Sequence, residues 1–155
     1  MSEQQPTAAT NSVLAKLAAI QSELKVPKDL RNDFGNYSYR SCESILTAVK
    51  PHLAEQKCII TLGDTMEDIG GRVYVHAVAI IVDSETGDNF SVGAYAREAE
   101  TKKGMDDAQI TGAASSYARK YALNGLLAID DTKDADATNN HGKTSQSAAP
   151  KKASF

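Results

Sequence analysis

Residues 72–83 read RVYVHAVAIIVD and residues 89–98 read NFSVGAYARE, and these two runs decide the fold. In the second, Phe90, Val92, Ala94 and Ala96 fall on one face of an extended chain and Ser91, Gly93, Tyr95 and Arg97 on the other. That two-residue period belongs to a strand with one buried face. The first run is apolar on both faces through residues 78–82, which suits a central strand or one covered by a helix. Glu85-Thr86-Gly87-Asp88 separates the two runs, and Gly70-Gly71 separates the first from a shorter apolar run at 58–62. Together they predict a three-stranded antiparallel meander.

Helical periods flank it. Val13, Leu17, Ile20 and Leu24 recur behind a Ser12 cap and stop before Pro27, a first amphipathic helix. Ser41 precedes Ile45, Leu46, Val49 and Leu53, a second helix that Pro51 should kink through loss of one backbone bond. Between them, residues 28–39 read as a loop or short hairpin around Gly35-Asn36. After the meander, Asp106 and Gln109 make a capping box, and Ile110, Ala113, Ala114, Tyr117 and Tyr121 mark a long helix ending at Asn124-Gly125. The fold class is therefore α+β: the meander packed with a long C-terminal helix and N-terminal helices. Residues 1–10 read as a flexible arm, 11–130 as the folded domain, and 131–155 as an acidic, then low-complexity, disordered tail.

At 155 residues the chain has room for one domain and a tail, which excludes a two-domain catalyst. Cys42 and Cys58 have no metal-ligand spacing and read as buried thiols. The N-terminus has neither the basic nor the apolar region of a secretory signal, and no run is long enough to span a membrane, so a cytoplasmic protein without membrane contact is expected. Gly142-Lys143-Thr144 resembles the end of a phosphate loop, but Ala137 stands where its first glycine belongs. His52, His76 and His141 are scattered and form no triad spacing. The expectation is a protein with no catalytic site, no cofactor and no metal. Asp130, Asp131, Asp134 and Asp136 suit a hard cation, and a metal-dependent nuclease using them is one alternative. A host-protein-binding module is another.

The informative stretch is 97–126. Arg97 ends the wet face of a strand, Lys102 and Lys103 lie on a loop, and Arg119 and Lys120 sit between Tyr117 and Tyr121. Cations interleaved with aromatics suit single-stranded nucleic acid, because the charges track phosphates and the rings stack on any base. Opposing this, the net charge is -3, and residues 102–120 carry four basic against two acidic residues. Tyr117 and Tyr121 read equally well as core. Gly112 inside the helix implies close approach of another backbone, from the sheet or from a neighbouring subunit.

The motifs Ala94-Tyr95-Ala96-Arg97-Glu98, Lys103-Gly104-Met105-Asp106-Asp107-Ala108-Gln109, the run from Thr111 through Tyr117-Ala118-Arg119-Lys120-Tyr121 to Leu126, and Asp130-Asp131-Thr132-Lys133-Asp134-Ala135-Asp136 resemble the ERF family. This is the essential recombination function family of phage single-strand annealing proteins. Val26-Pro27-Lys28 and Tyr37-Ser38-Tyr39-Arg40-Ser41 fit as well. The resemblance implies a bacteriophage protein of DNA recombination and repair. It would bind single-stranded DNA and anneal complementary strands without ATP, as a ring or helical homo-oligomer with a core similar to the single-strand annealing recombinases. It adds Tyr39 and Arg40 to the DNA-contacting set, and it leaves the tail as a place for a host or phage recombination partner.

Overall fold

The computed structural model describes residues 12–100 and 104–129. The expected arm, Lys102 and Lys103, the aspartates from 130 to 136 and the tail lie outside these residues. The elements run α1 (Ser12–Glu23), β1 (Leu30–Asn32), β2 (Tyr37–Tyr39), α2 (Cys42–Gln56), β3 (Cys58–Ile69), β4 (Arg72–Asp83), β5 (Asn89–Arg97) and α3 (Asp107–Leu127). The architecture is α+β: β1 and β2 form an antiparallel hairpin, and β3-β4-β5 form the expected antiparallel meander.

β3 is longer than its apolar run suggested. Every residue from Cys58, opposite Asp83, to Ile69, opposite Arg72, pairs with β4. The Gly70-Gly71 turn, with both residues at positive φ, is the two-residue connection whose twist matches paired strands. Ladder bonds thus carry the polar half of β3, Asp64 to Asp68, which hydrophobic patterning could not reveal.

β4 is the central strand. Val75, Ala77, Ala79 and Ile81 are buried on the inner face, and all three helices pack on that side, with α3 over β4 and β5 and α2 beside β3. On the outer face His76 and Tyr95 stack in parallel, centroids 4.2 Å apart. Gly93 makes this possible, since a Cβ there would lie 2.6 Å from the His76 ring.

α2 is one continuous helix through Pro51. Val49 and Leu53 are buried on either side of it while Pro51 itself is exposed, so packing outweighs the single backbone bond lost. The helix is capped by a reciprocal Ser41–Ser44 box and stops at left-handed Lys57. α3 opens on the expected capping box, with the Gln109 N–H donating to Asp106 at 2.8 Å. It runs past Asn124-Gly125 to Leu127. Glycine costs a helix about 1 kcal/mol, whereas burying Leu126 and Leu127, both almost fully enclosed, returns about 1.5–3 kcal/mol each. Gly125 is also fitted to its place, because a Cβ there would approach Val92 to 3.0 Å.

Ser12 is not a cap but a first-turn residue, and the β4–β5 turn does the capping. Its N–H donates to Asp88 at 3.2 Å and its hydroxyl to Asp83 at 2.6 Å. Asp83 is 1% exposed and also takes the Lys16 ammonium at 3.1 Å and the Glu85 N–H at 2.9 Å. The Ser12 hydroxyl, then the Glu85 backbone N–H, against the opposing effect of burial, hold its carboxyl well below the ordinary range. A depressed folded-state pKa contributes stability above the unfolded value, and that stability is lost as pH falls. The thermal midpoint is therefore expected to drop steeply below about pH 4. In Asp83→Asn the midpoint starts lower at neutral pH and the acid slope flattens; an unchanged slope would remove Asp83 as its source.

Candidate nucleic-acid interface

α3 crosses the inner face of the sheet and sends its side chains in three directions. Toward the sheet it buries Ile110, Ala114, Ala118, Ala122 and Leu123. Toward β3 it sends Ser115 and Arg119. Arg119 Nε meets both Asp64 oxygens at 3.0 and 3.1 Å, its Nη2 lies 3.0 Å from Asp64 Oδ2, and the Ser115 hydroxyl donates to the same carboxylate. Burial pushes Asp64 upward, but the hydrogen bonds from Arg119 and Ser115 outweigh it and hold the carboxyl below its usual range. Arg119 is thus a cross-brace between α3 and β3, with its charge already answered.

Toward β5, α3 presents Tyr117 and Tyr121, which are half exposed, at 50% and 51%. They are not core. Their rings lie 6.3 Å apart with planes tilted by 24°, and the Lys120 ammonium sits 5.1 and 5.6 Å from their centroids. That is cation–π range, so the cation and both rings form one unit. Beside them a cleft of about 370 Å³ opens between α3 and the end of β5, lined by Ala96, Arg97, Met105, Ile110, Tyr117 and Tyr121 among others. Thr111 closes the far end of the helix onto Glu98 with a 3.1 Å hydrogen bond.

The structure therefore brings together Arg97, Tyr117, Lys120 and Tyr121 and sets Arg119 apart. Ala99 and Met105, which flank residues 101–103 in sequence, both line the cleft; Lys102 and Lys103 themselves lie outside the described residues. Tyr39 lies on β2 and Arg40 in the link between β2 and α2. Arg40 is buried, its Nε donating 3.0 Å to the Val26 carbonyl, so it ties the α2 entrance to the segment after α1. Tyr39 sits in β2 with its ring 6.0 Å from Tyr37. Gly112 meets nothing within 4 Å of where a Cβ would stand, so the close approach expected there does not come from this chain's own sheet.

Sequence reasoning missed Asp64, whose role depends on a strand 55 residues before Arg119. It also missed Met105 and Ala99, which carry no charge or ring signal. Both cysteines are buried free thiols, as expected, and burial raises their pKa values. Among the described residues one group, Glu23, His52 and Glu55, has metal-ligand spacing. It lies on α1 and α2, and both carboxylates are solvated. No helix among the described residues is long and apolar enough to cross a membrane.

The sequence profile of the ERF superfamily matches residues 13–154, taking in all but the first residue of the elements above. The chain belongs to the ERF superfamily. An essential recombination function protein of Salmonella phage P22 is 55% identical over 138 residues, which are 89% of this chain and 64% of that protein. The chain thus spans somewhat under two thirds of that relative's length. No solved structure matches it significantly. Within this ERF chain, the motifs at 94–98 and 111–126 that suggested the family are the ones that build the cleft and the tyrosine pair.

The split within α3 separates two substitutions that the sequence treats as one. Arg119→Ala removes a bidentate pair that is partly exposed and should cost about 1 kcal/mol of stability. Lys120→Ala removes contacts with two half-exposed rings and should cost less, about 0.5 kcal/mol. Thermal melts of the two variants check this, and the reverse order would show that the Asp64–Arg119 pair does not brace α3 on β3.

Proposed function

We propose that this chain binds single-stranded DNA and promotes annealing of complementary strands in phage recombination, as an oligomer, without ATP, cofactor or catalytic site of its own. The observation that carries this is the Tyr117–Lys120–Tyr121 unit beside Arg97 at the cleft mouth. Exposed rings stack on unpaired bases whatever their identity, and the cations offset phosphate repulsion. Annealing needs both effects. Two strands repel each other, so a protein that neutralises one strand and keeps it extended lowers the barrier, provided base edges stay free for pairing. Rings that touch base faces leave those edges free. Membership of the ERF superfamily and the name of the P22 relative support a recombination role. Lys102 and Lys103, which fall in sequence between the cleft residues Ala99 and Met105, are proposed to add to the backbone grip, and residues 131–155 to serve a partner.

Anisotropy titrations with single- and double-stranded oligonucleotides across a salt series, with an annealing assay in the absence of ATP, test this. Preference for the single strand and faster annealing support it. Equal affinity for both forms with no annealing would overturn it. Loss of labelled DNA on adding magnesium would instead favour a nuclease built on Asp130, Asp131, Asp134 and Asp136.

A further inference from the structure

Of the large apolar side chains in the described residues, the most exposed is Phe34, at 106%. It stands in the turn between β1 and β2, and that turn is well braced. The Gly35 N–H donates to Asn32 at 3.1 Å, Asn32 donates to the Tyr37 hydroxyl at 3.1 Å, and the Arg31 guanidinium reaches the Asn36 side chain. The Tyr37 ring lies so close over Gly35 that no Cβ fits there. Along the hairpin, Leu30 pairs with Tyr39 and Asn32 with Tyr37, which puts Leu30, Tyr37 and Tyr39 on one face. Leu30 and Tyr37 are 37% and 41% exposed. A braced finger with an aromatic tip and an apolar flank is what interfaces carry and isolated domains avoid.

Charge identifies the partner. Residues 28–37 hold Lys28 and Arg31 against Asp29 and Asp33, a balanced set, whereas a nucleic-acid contact leaves a cationic footprint. The finger therefore fits a protein surface, and this chain has a matching one. The α3–β5 cleft of about 370 Å³ has an apolar floor that includes Ala96, Ile110, Ala113 and Ala114, with Arg97 at its edge. Asp33, beside Phe34, has a 94% exposed side chain held only by a loose 3.6 Å contact with Arg31. Gly112, next to Ala113, leaves open space where a neighbouring backbone could pass.

We propose that Phe34 of one copy seats on the floor of the α3–β5 cleft of the next, with Asp33 against Arg97. The knob and the hole are different surfaces, so the contact is heterologous and repeats head to tail into a ring or filament, not a two-fold dimer. A phenylalanine covers only about 150–250 Å², and even with Leu30 and Tyr37 one such link falls short of a standard interface of about 1,600 Å². Closure and bound DNA then matter for holding the assembly together. This rests on the oligomer in the function proposed above, and it assigns Arg97 to the neighbour rather than to DNA, leaving the strand to Tyr117, Lys120 and Tyr121 at the half-exposed rim.

The test is the assembly state of the full chain without DNA, by mass photometry and light scattering. Wild type is expected to assemble. Phe34→Ala, at a side chain fully exposed among the described residues, should raise the half-assembly concentration about 30-fold. Ala113→Trp fills the hole with the same result, yet mixing the two variants should restore one good knob and one good hole, giving a heterodimer that stops there. Should Ala113→Trp fail to fold, the charge pair decides: Asp33→Arg or Arg97→Asp alone weakens assembly, and both together recover it. Wild-type assembly by Phe34→Ala overturns the proposal, as does a mixture of folded variants that stays monomeric. It also falls if wild type is monomeric throughout, or if Phe34→Ala assembles normally but loses DNA affinity, which would make the tip a DNA wedge. A wild type that assembles through Phe34 but binds no DNA defeats only the proposed function.

Discussion

Replacing Tyr117 and Tyr121 together by alanine is expected to weaken single-stranded DNA binding by roughly 100-fold or more. Stacking on a base is worth about 1–3 kcal/mol per ring, and each 1.4 kcal/mol is tenfold. Both rings are half exposed, and α3 is held by its other faces, so the thermal midpoint should move by only a few degrees. Phenylalanine at both positions keeps the faces and loses the hydroxyls, and it should bind within about threefold of wild type if stacking is what matters. Duplex affinity should fall less, because paired bases already stack on each other. The measurement is anisotropy against a poly-thymidine and a mixed-sequence oligonucleotide, with assembly followed in parallel so that a loosened cleft is not mistaken for lost stacking. Unchanged affinity in a folded, assembled double variant would remove the tyrosines from the interface.

The second large effect is on stability. The stripe of α3 that faces the sheet is Ala114, Ala118 and Ala122, and the middle of β4 offers Ala77 and Ala79; all five are at most 5% exposed. Small residues on both sides let helix and sheet approach closely, and interiors are packed too densely to absorb added carbons. Ala118→Leu should therefore cost about 3 kcal/mol, the upper end for overpacking, and lower the midpoint by about 10 °C. Ala108→Leu, on the exposed first turn of the same helix, adds the same carbons in water and serves as the control. Equal melting of the two variants would show that the seam has slack.

Local patterns are legible in a sequence, and contacts made far along the chain are not. The alternation in β5 and the capping box at Asp106 were fully legible, because a strand with one wet face and a helix start are local patterns. The polar half of β3 was not, since its strand state comes from the β4 ladder and from Gly70-Gly71 rather than from its own residues. At the site, the Tyr-Arg-Lys-Tyr cluster was visible, but its division was not. Which side of α3 each cation serves depends on the rotation of the helix over the sheet, and Asp64 captures Arg119 through a contact 55 residues distant in sequence. Phe34 gave no signal, because one aromatic in a polar loop reads as nothing until the turn that presents it is seen.

Gln21 of α1 donates a 2.8 Å hydrogen bond to the Leu126 carbonyl, across 105 residues of chain. α1 is the first described element to leave the ribosome, and its partner on α3 is the last. At about 5–20 residues per second, α1 meets α2 and β4 while the rest of the domain is still being made, but its contact with α3 waits roughly 5–20 s. The core therefore cannot close until α3 is complete, and the order of synthesis leaves that last helix to seal it.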